Sequence, residues 1–272
     1  MENAQKIFDR LWDDYTRRNP EVRRIYDLFL SKREKVVNDH IAFRTYDDPR
    51  VNIGVLAKPF IDTGYIYKGE YHFGEKHLYA RHFEHKEKPD APRVFISELK
   101  TREFSSFMQE TIGSVINRIP KSLLASDELI FSGNSWGTPS FEIYSKLRNE
   151  SEYAAWIYVH GFRANHFTIS VNALKKHDSV QKVNRLLKDN GFLLNDSAGE
   201  IKGTPQQLLE QSSTRSGIIE IRFKEGTYGV PSCYYEFAKR YPDKDGKLYS
   251  GFIAKSADKI FESTDYYEKN KS

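Results

Sequence analysis

Two histidines and two glutamates occupy corresponding places in two similar stretches of this 272-residue sequence. The first stretch opens with His40 in HIAFRTYDD and closes with Glu98 in VFISELK. The second opens with His166 in HFTISVNAL and closes with Glu236 in CYYEFAKRY. Imidazole nitrogens and carboxylate oxygens are ligands for divalent transition metals. Two imidazoles and one carboxylate on one face of an octahedron leave three positions open. That set suits non-haem Fe(II) serving a two-point 2-oxo acid ligand and O2. A single strand histidine is more often a hydrogen-bonded core residue than a ligand. Recurrence at the same place in two copies is what lifts this pair above that expectation.

The elements that would position them follow from periodicity. Residues 3–18 read as a helix, with Ile7, Leu11 and Tyr15 on one face. A second helix starts at Pro20 and runs through Val22, Ile25, Tyr26, Phe29 and Leu30. In VVNDHIAFRTY the pattern changes to the alternation of a half-buried strand. An apolar helical stretch with Ile53, Leu56 and Phe60 then ends at Gly64, before the strand YIYKG. The second copy has Val183, Leu186 and Leu187, then Gly191 and FLLND. From His to Gly the spacing is 24 in one copy (64 − 40) and 25 in the other (191 − 166). Glycine suits the left-handed residue that closes a helix. Third strands follow, LYARHF and IIEIRF, and then the two glutamate strands.

Each module therefore reads β-α-β-β-β. The expected fold class is α+β, with two half-barrels joined in one curved mixed sheet around a metal cleft. It is expected as one domain in five parts: N-terminal helices (1–35), module one (36–100), a helical insert (101–159), module two (160–243) and a tail (244–272). The insert carries helices in FSSFMQETIGSVI and SFEIYSKLRNESEYAAWIYV, divided by the loop SGNSWGTPS. The tail is expected to wrap the surface.

Composition narrows the function classes. The net charge of +4 comes from interspersed Lys, Arg, Asp and Glu, with no basic stripe for nucleic acid. No apolar run approaches the roughly 18–20 residues that span a bilayer, and the charged amphipathic start has no signal-type apolar core. One cysteine, Cys233, gives no intramolecular disulfide and no cysteine-type zinc site. These readings predict a cytoplasmic protein; they leave its oligomeric state open.

A rival cluster, His72, His77, His82 and His85, lies in a segment so charged that an exposed β-hairpin explains it better. His160 and His177 stand at element ends and read as structural. Tyr234 and Tyr235 flank Glu236 and are read as core residues on the opposite face. Ser212, Ser213, Thr214 and Arg215 form a polar run that could meet a substrate or be a plain loop.

The strings VNDHIAFRTY, RVFISELK, AWIYVHGFRANHFTISVN, IKGTPQQLLEQSST and SCYYEFAKRY resemble the 2-oxoadipate dioxygenase/decarboxylase family over about residues 36–243. That family is similar in fold to the vicinal oxygen chelate superfamily. The resemblance implies an Fe(II) site on His40, His166 and Glu236, with Glu98 in the unused fourth position as a second-shell or structural carboxylate. It also implies that Arg44, in HIAFR, grips a substrate carboxylate; residues i and i+4 of a strand share a side, so Arg44 can face the cleft of His40. The implied partners are a small 2-oxo acid, most naturally 2-oxoadipate, and O2, with 2-hydroxyglutarate and CO2 as products. Better-known bacterial members are longer beyond the metal glutamate. The alternatives are another metal enzyme on this scaffold, a lyase, isomerase or extradiol-type dioxygenase with Glu98 as fourth ligand, or a metal-free small-ligand module.

Overall fold

The computed structural model describes residues 3–264, without the side chains of 257 and 258. Two helices lead, α1 (Ala4–Arg18) and α2 (Pro20–Ser31). Asn3 caps α1 by accepting the Gln5 N–H, and Arg17 and Arg18 lie in its last turn, where the helix dipole favours cations. Its buried face is Ile7, Phe8, Leu11 and Tyr15, as the spacing predicts.

Module one follows as β1 (Asn38–Tyr46), α3 (Ile53–Ile61), β2 (Tyr65–Phe73), β3 (Leu78–His85) and β4 (Arg93–Leu99). The insert contributes α4 (Ser106–Asn117), α5 (Lys121–Leu124), α6 (Phe141–Glu150) and α7 (Glu152–His160). One long helix is expected where α6 and α7 stand. It breaks at Ser151, which is extended and whose hydroxyl accepts the Ala154 N–H to cap α7. Module two holds β5 (Ala164–Ser170), α8 (Val180–Asp189), β6 (Lys202–Thr204), β7 (Leu209–Ser213), β8 (Ile218–Arg222), β9 (Thr227–Pro231) and β10 (Glu236–Arg240). A last helix, α9 (Ala254–Phe261), lies in the tail. Gly64 and Gly191, after α3 and α8, have φ of +104° and +81°, as helix-closing glycines should.

Eight strands form one sheet in the order β2-β3-β4-β1-β5-β10-β7-β6. From its centre the sheet reads β1, β4, β3, β2 one way and β5, β10, β7, β6 the other. Each half thus has its first and last strands side by side and parallel. The halves meet where β1 pairs with β5, antiparallel. On one face Trp12 of α1 packs edge-on against Phe167 at 5.0 Å, and Asn184 of α8 accepts a hydrogen bond from Ser212. The opposite face carries His40 and His166.

Module two departs from the expected strands. FLLND contributes only a bridge from Leu194 to Thr214. IIEIR is β8, which pairs with β9 in a separate two-stranded ribbon, and Tyr228 of that ribbon stacks on Phe141 of α6 at 3.8 Å. The third strand of the sheet is instead β7, LEQSS, buried along its whole length. Buried polar residues carry no hydrophobic alternation, so pattern reading passes over them.

The tail also departs from expectation. It crosses the open face of the sheet rather than its outside. Phe252 packs against His40, Phe95, His82 and Tyr71, and Ser263 and Thr264 are buried. Residues 265–272 of the expected tail lie outside the described residues.

His160 ends α7 and donates from Nε2 to the Pro231 carbonyl at 2.8 Å. Burial pushes its pKa down to about 3. The folded state holds it neutral while the unfolded chain takes up a proton below about pH 6.5, so stability present above that pH is lost as pH falls toward 3. Between pH 7 and pH 5 this residue should account for a loss of about 2 kcal/mol. Urea denaturation of wild type and His160→Gln at both pH values checks this; equal pH slopes would refute it.

Candidate metal centre

The register of three strands assembles the site. His40 of β1 pairs with Thr168 of β5, and Thr168 pairs in turn with Glu236 of β10. His40, Thr168 and Glu236 therefore form one row across the sheet with their side chains on one face. His166 lies two residues before Thr168 on that same face. Ligand atoms of His40, His166 and Glu236 all lie within 4.8 Å of one another, and all three residues are buried. Among the described residues no other such histidine and carboxylate grouping occurs.

Each imidazole is oriented by the residue before it. His40 Nδ1 donates to the Asp39 carboxylate at 2.8 Å, and His166 Nδ1 donates to Asn165 Oδ1 at 3.1 Å. Both Nε2 atoms are thereby left as lone-pair acceptors. They face the Glu236 carboxylate, His166 at 3.1 Å and His40 at 3.5 Å. Three acceptors converge in a site closed to water. Thr168, whose hydroxyl lies 3.0 Å from His40 Nε2, and Gln211, whose amide donates to Glu236 Oε1 at 2.5 Å, answer them only in part. A divalent cation is the group that satisfies all three at once, so the donor set fits a metal.

The ionisation states agree with that fit. Burial would raise the Glu236 pKa, but His40, His166 and Gln211 outweigh it and hold the carboxyl ionised. Burial lowers the His166 pKa, with Glu236 opposing, and favours the neutral imidazole that binds metal. Asp39 is buried too, yet the Arg240 guanidinium, which clasps it with bonds of 2.7 and 2.8 Å, holds its pKa far below the carboxylate range.

Arg44 reaches the same face, fully buried beside these ligands. Its Nη2 donates to the Thr264 hydroxyl at 3.2 Å, and its guanidinium lies over the Tyr153 and Trp156 rings at 4.9 and 5.2 Å. Among the described residues Nε and Nη1 have no hydrogen-bond partner. Gln211 and Thr168 were not singled out by the sequence; a glutamine in a polar run carries no mark of facing a metal. Asp39 and Asn165 do carry one, since each precedes a repeated histidine.

Other expected residues lie elsewhere. Glu98 pairs with Thr45, one residue past the Arg44–Ser97 pair, and so points to the far face, where it accepts the Ile53 N–H at the start of α3. By register the module-one counterpart of Glu236 is Phe95, which pairs with Ala42 two residues after His40, as Glu236 pairs with Thr168 two after His166. Ser212 points to α8 and bonds Asn184, away from the site. Ser213 shares the Glu236 row and bonds Ser263 of the tail at 2.7 Å. Thr214 binds the Tyr235 backbone and Arg215 pairs with Asp196. Tyr234 stands on the site face, two residues from Glu236, with its ring stacked on His166 at 4.5 Å; only Tyr235 takes the opposite face, against Trp12. Strand residues two apart share a side, which places Tyr234 with the glutamate. The His72–His85 segment is the β2–β3 hairpin, but His82 is buried against Tyr71, Glu84 and Phe252, while His85 packs on Tyr65.

The sequence profile of the family described as 2-oxoadipate dioxygenase/decarboxylase matches residues 7–130 and 124–247. A chloroplastic 2-oxoadipate dioxygenase/decarboxylase of Arabidopsis thaliana is 35% identical, over 92% of this chain and 74% of its own. The crystal structure of the Oryza sativa hydroxyglutarate synthase in complex with 2-oxoadipate is 33% identical with a TM-score of 0.90, covering 98% of this chain and 93% of that one. A protein from Shewanella frigidimarina, assigned provisionally as a hydrolase, is 44% identical with a TM-score of 0.88, covering 93% and 99%.

Glu236→Gln, which keeps the size and the contact with Gln211, should leave the protein folded and strip it of metal, as read by elemental analysis after Fe(II) loading under argon. Glu98→Gln, which keeps an acceptor for the Ile53 N–H and removes only the charge at the α3 start, should cost about 0.3–1 kcal/mol and leave metal content at the wild-type level. Loss of metal in the second variant, or retention in the first, would overturn the assignment.

Proposed function

Since this chain belongs to the 2-oxoadipate dioxygenase/decarboxylase family, we propose that it takes a 2-oxo diacid, first of all 2-oxoadipate, to the 2-hydroxy acid one carbon shorter. For 2-oxoadipate the balance is one O2 consumed and one CO2 released per 2-hydroxyglutarate. The observation that carries the reading is the convergence of two imidazole Nε2 atoms and one carboxylate on a single buried point. The rice relative, solved with 2-oxoadipate, supports the substrate class.

His40, His166 and Glu236 would hold ferrous iron, which when bound supplies O2 activation and a two-point hold on the 2-oxo acid. Asp39 and Asn165 fix the imidazoles in the tautomer that presents Nε2. Arg44 would take the distal carboxylate. It pairs with no carboxylate among the described residues, and a buried guanidinium with unpartnered donors is stabilised by an anion that reaches it. Phe252 and the aromatic rings around Arg44 keep the cleft apolar and exclude water. A lyase or isomerase using four protein ligands loses its fourth carboxylate, because Glu98 caps α3 on the far face. A cytosolic setting is proposed with the activity; the lone cysteine is buried and asks for no oxidising compartment. Among the described residues no helix is long and apolar enough to cross a membrane.

Oxygen uptake by Fe(II)-loaded protein with 2-oxoadipate, with products scored by mass spectrometry, should consume one O2 for each CO2 and each 2-hydroxyglutarate formed. Arg44→Met should raise KM roughly 10–100-fold through loss of charge-assisted hydrogen bonds, with iron still bound. Absence of uptake, or undiminished turnover by Glu236→Gln, would refute the reading.

A further inference from the structure

Among the described residues several buried donors and acceptors lack a hydrogen-bond partner, and three of them lie at one end of the site. Nε and Nη1 of Arg44 and the hydroxyl of Tyr234 are all buried, and among the described residues none makes a hydrogen bond of good geometry, although guanidinium and phenol lie close enough to interact with each other. Burying such groups without a hydrogen bond is costly, about 1–3 kcal/mol for each in protein mutational data, so their joint presence asks for a ligand.

Their placement is shared. The Tyr234 ring lies flat on the His166 ring, 4.5 Å away with a 26° tilt. Arg44 lies on β1 two residues beyond Ala42, whose cross-strand partner is His166. Arg44 stands close enough for its charge to act on the phenol. Around them the walls are aromatic: Tyr153, Trp156 and Phe261 surround the guanidinium. This end of the site thus offers a cationic guanidinium and a phenol hydroxyl within aromatic sides, with the Glu152 carboxylate reached through the Thr264 hydroxyl. What such an end lacks is a compact anion with several lone pairs, which describes a carboxylate.

We propose that Tyr234 is a specificity-determining residue, its hydroxyl completing with Arg44 the seat of the substrate's distal carboxylate. This rests on the substrate reading above and adds a neutral donor to it. The neighbouring residue supplies an internal contrast. Tyr235 also has an unpartnered hydroxyl, but it lies on the other face of the sheet against Trp12 and Phe237, and no guanidinium stands by it.

The test is calorimetric binding to Fe(II)-loaded protein under argon, using 2-oxoadipate and 2-oxohexanoate, which has a methyl group in place of the distal carboxylate. Tyr234→Phe keeps the ring on His166 and removes only the hydroxyl. It should weaken 2-oxoadipate about tenfold, as loss of one hydrogen bond to a charged group does, and leave 2-oxohexanoate within about twofold. Iron content should match wild type, and Tyr235→Phe should change neither affinity. Equal weakening of both acids, unchanged affinity for both, or loss of iron from Tyr234→Phe overturns the role of Tyr234. Wild-type protein that fails to prefer the diacid overturns the substrate reading itself, and the Tyr234 seat with it. Wild-type protein that prefers the diacid while Tyr234→Phe prefers it equally removes Tyr234 alone.

Discussion

The pairing of β1 with β5 is the constraint on which the rest of this molecule depends. It sets His40 opposite Thr168, and the parallel pairing of β5 with β10 then sets Thr168 opposite Glu236. A slip of one residue at either pairing would turn a ligand to the other face, because side chains alternate with a period of two. The buried aromatic and aliphatic residues on the helix-covered face, Ile41, Phe43, Phe167 and Phe237 among them, resist that slip by needing their own burial. The hydrophobic packing of one face is therefore what holds the chemistry of the other in register.

The duplication explains the economy of the site and also its asymmetry. Both modules present a histidine with an Asx residue before it, and both hold their first and last strands side by side. Only module two has a carboxylate at the register position that completes the set; module one has Phe95 there. Phe95 packs on Phe252 at 4.9 Å, so the position that would have been a fourth ligand instead helps seat the tail. Three donors under an apolar cover would leave a bound divalent ion with open positions that a fourth protein ligand would otherwise take.

Much of this was legible in the residues. Helical periodicity and the two closing glycines located the modules, and the paired histidines pointed to two members of the buried His40, His166 and Glu236 cluster. Glu98 misled because the repeat was aligned by residue type; hydrogen-bond register aligns it by position, and register is not written in a single sequence. Strand β7 was missed because Gln211, Ser212 and Ser213 are buried for polar reasons, bonding to Glu236, Asn184 and Ser263. Tyr234 was placed on the wrong face although the period of two would have put it beside Glu236. The tail could not be read at all. Its Phe252 is a lone aromatic in a stretch of Gly, Lys and Asp, and nothing local says that it ends on His40.

Arg240 gives the tail a second significance. One guanidinium clasps both oxygens of Asp39, which orients His40, and also donates to the backbone carbonyls of Tyr249 and Gly251 at 2.9 and 2.7 Å. The covering segment and the ligand are thus joined through two links. Linkage then runs both ways: an ion that fixes His40 strengthens the hold on residues 249–251, and a docked segment makes the imidazole a better-ordered ligand. A cation bound at the centre would therefore be coupled, through His40, Asp39 and Arg240, to the seating of residues 249–251.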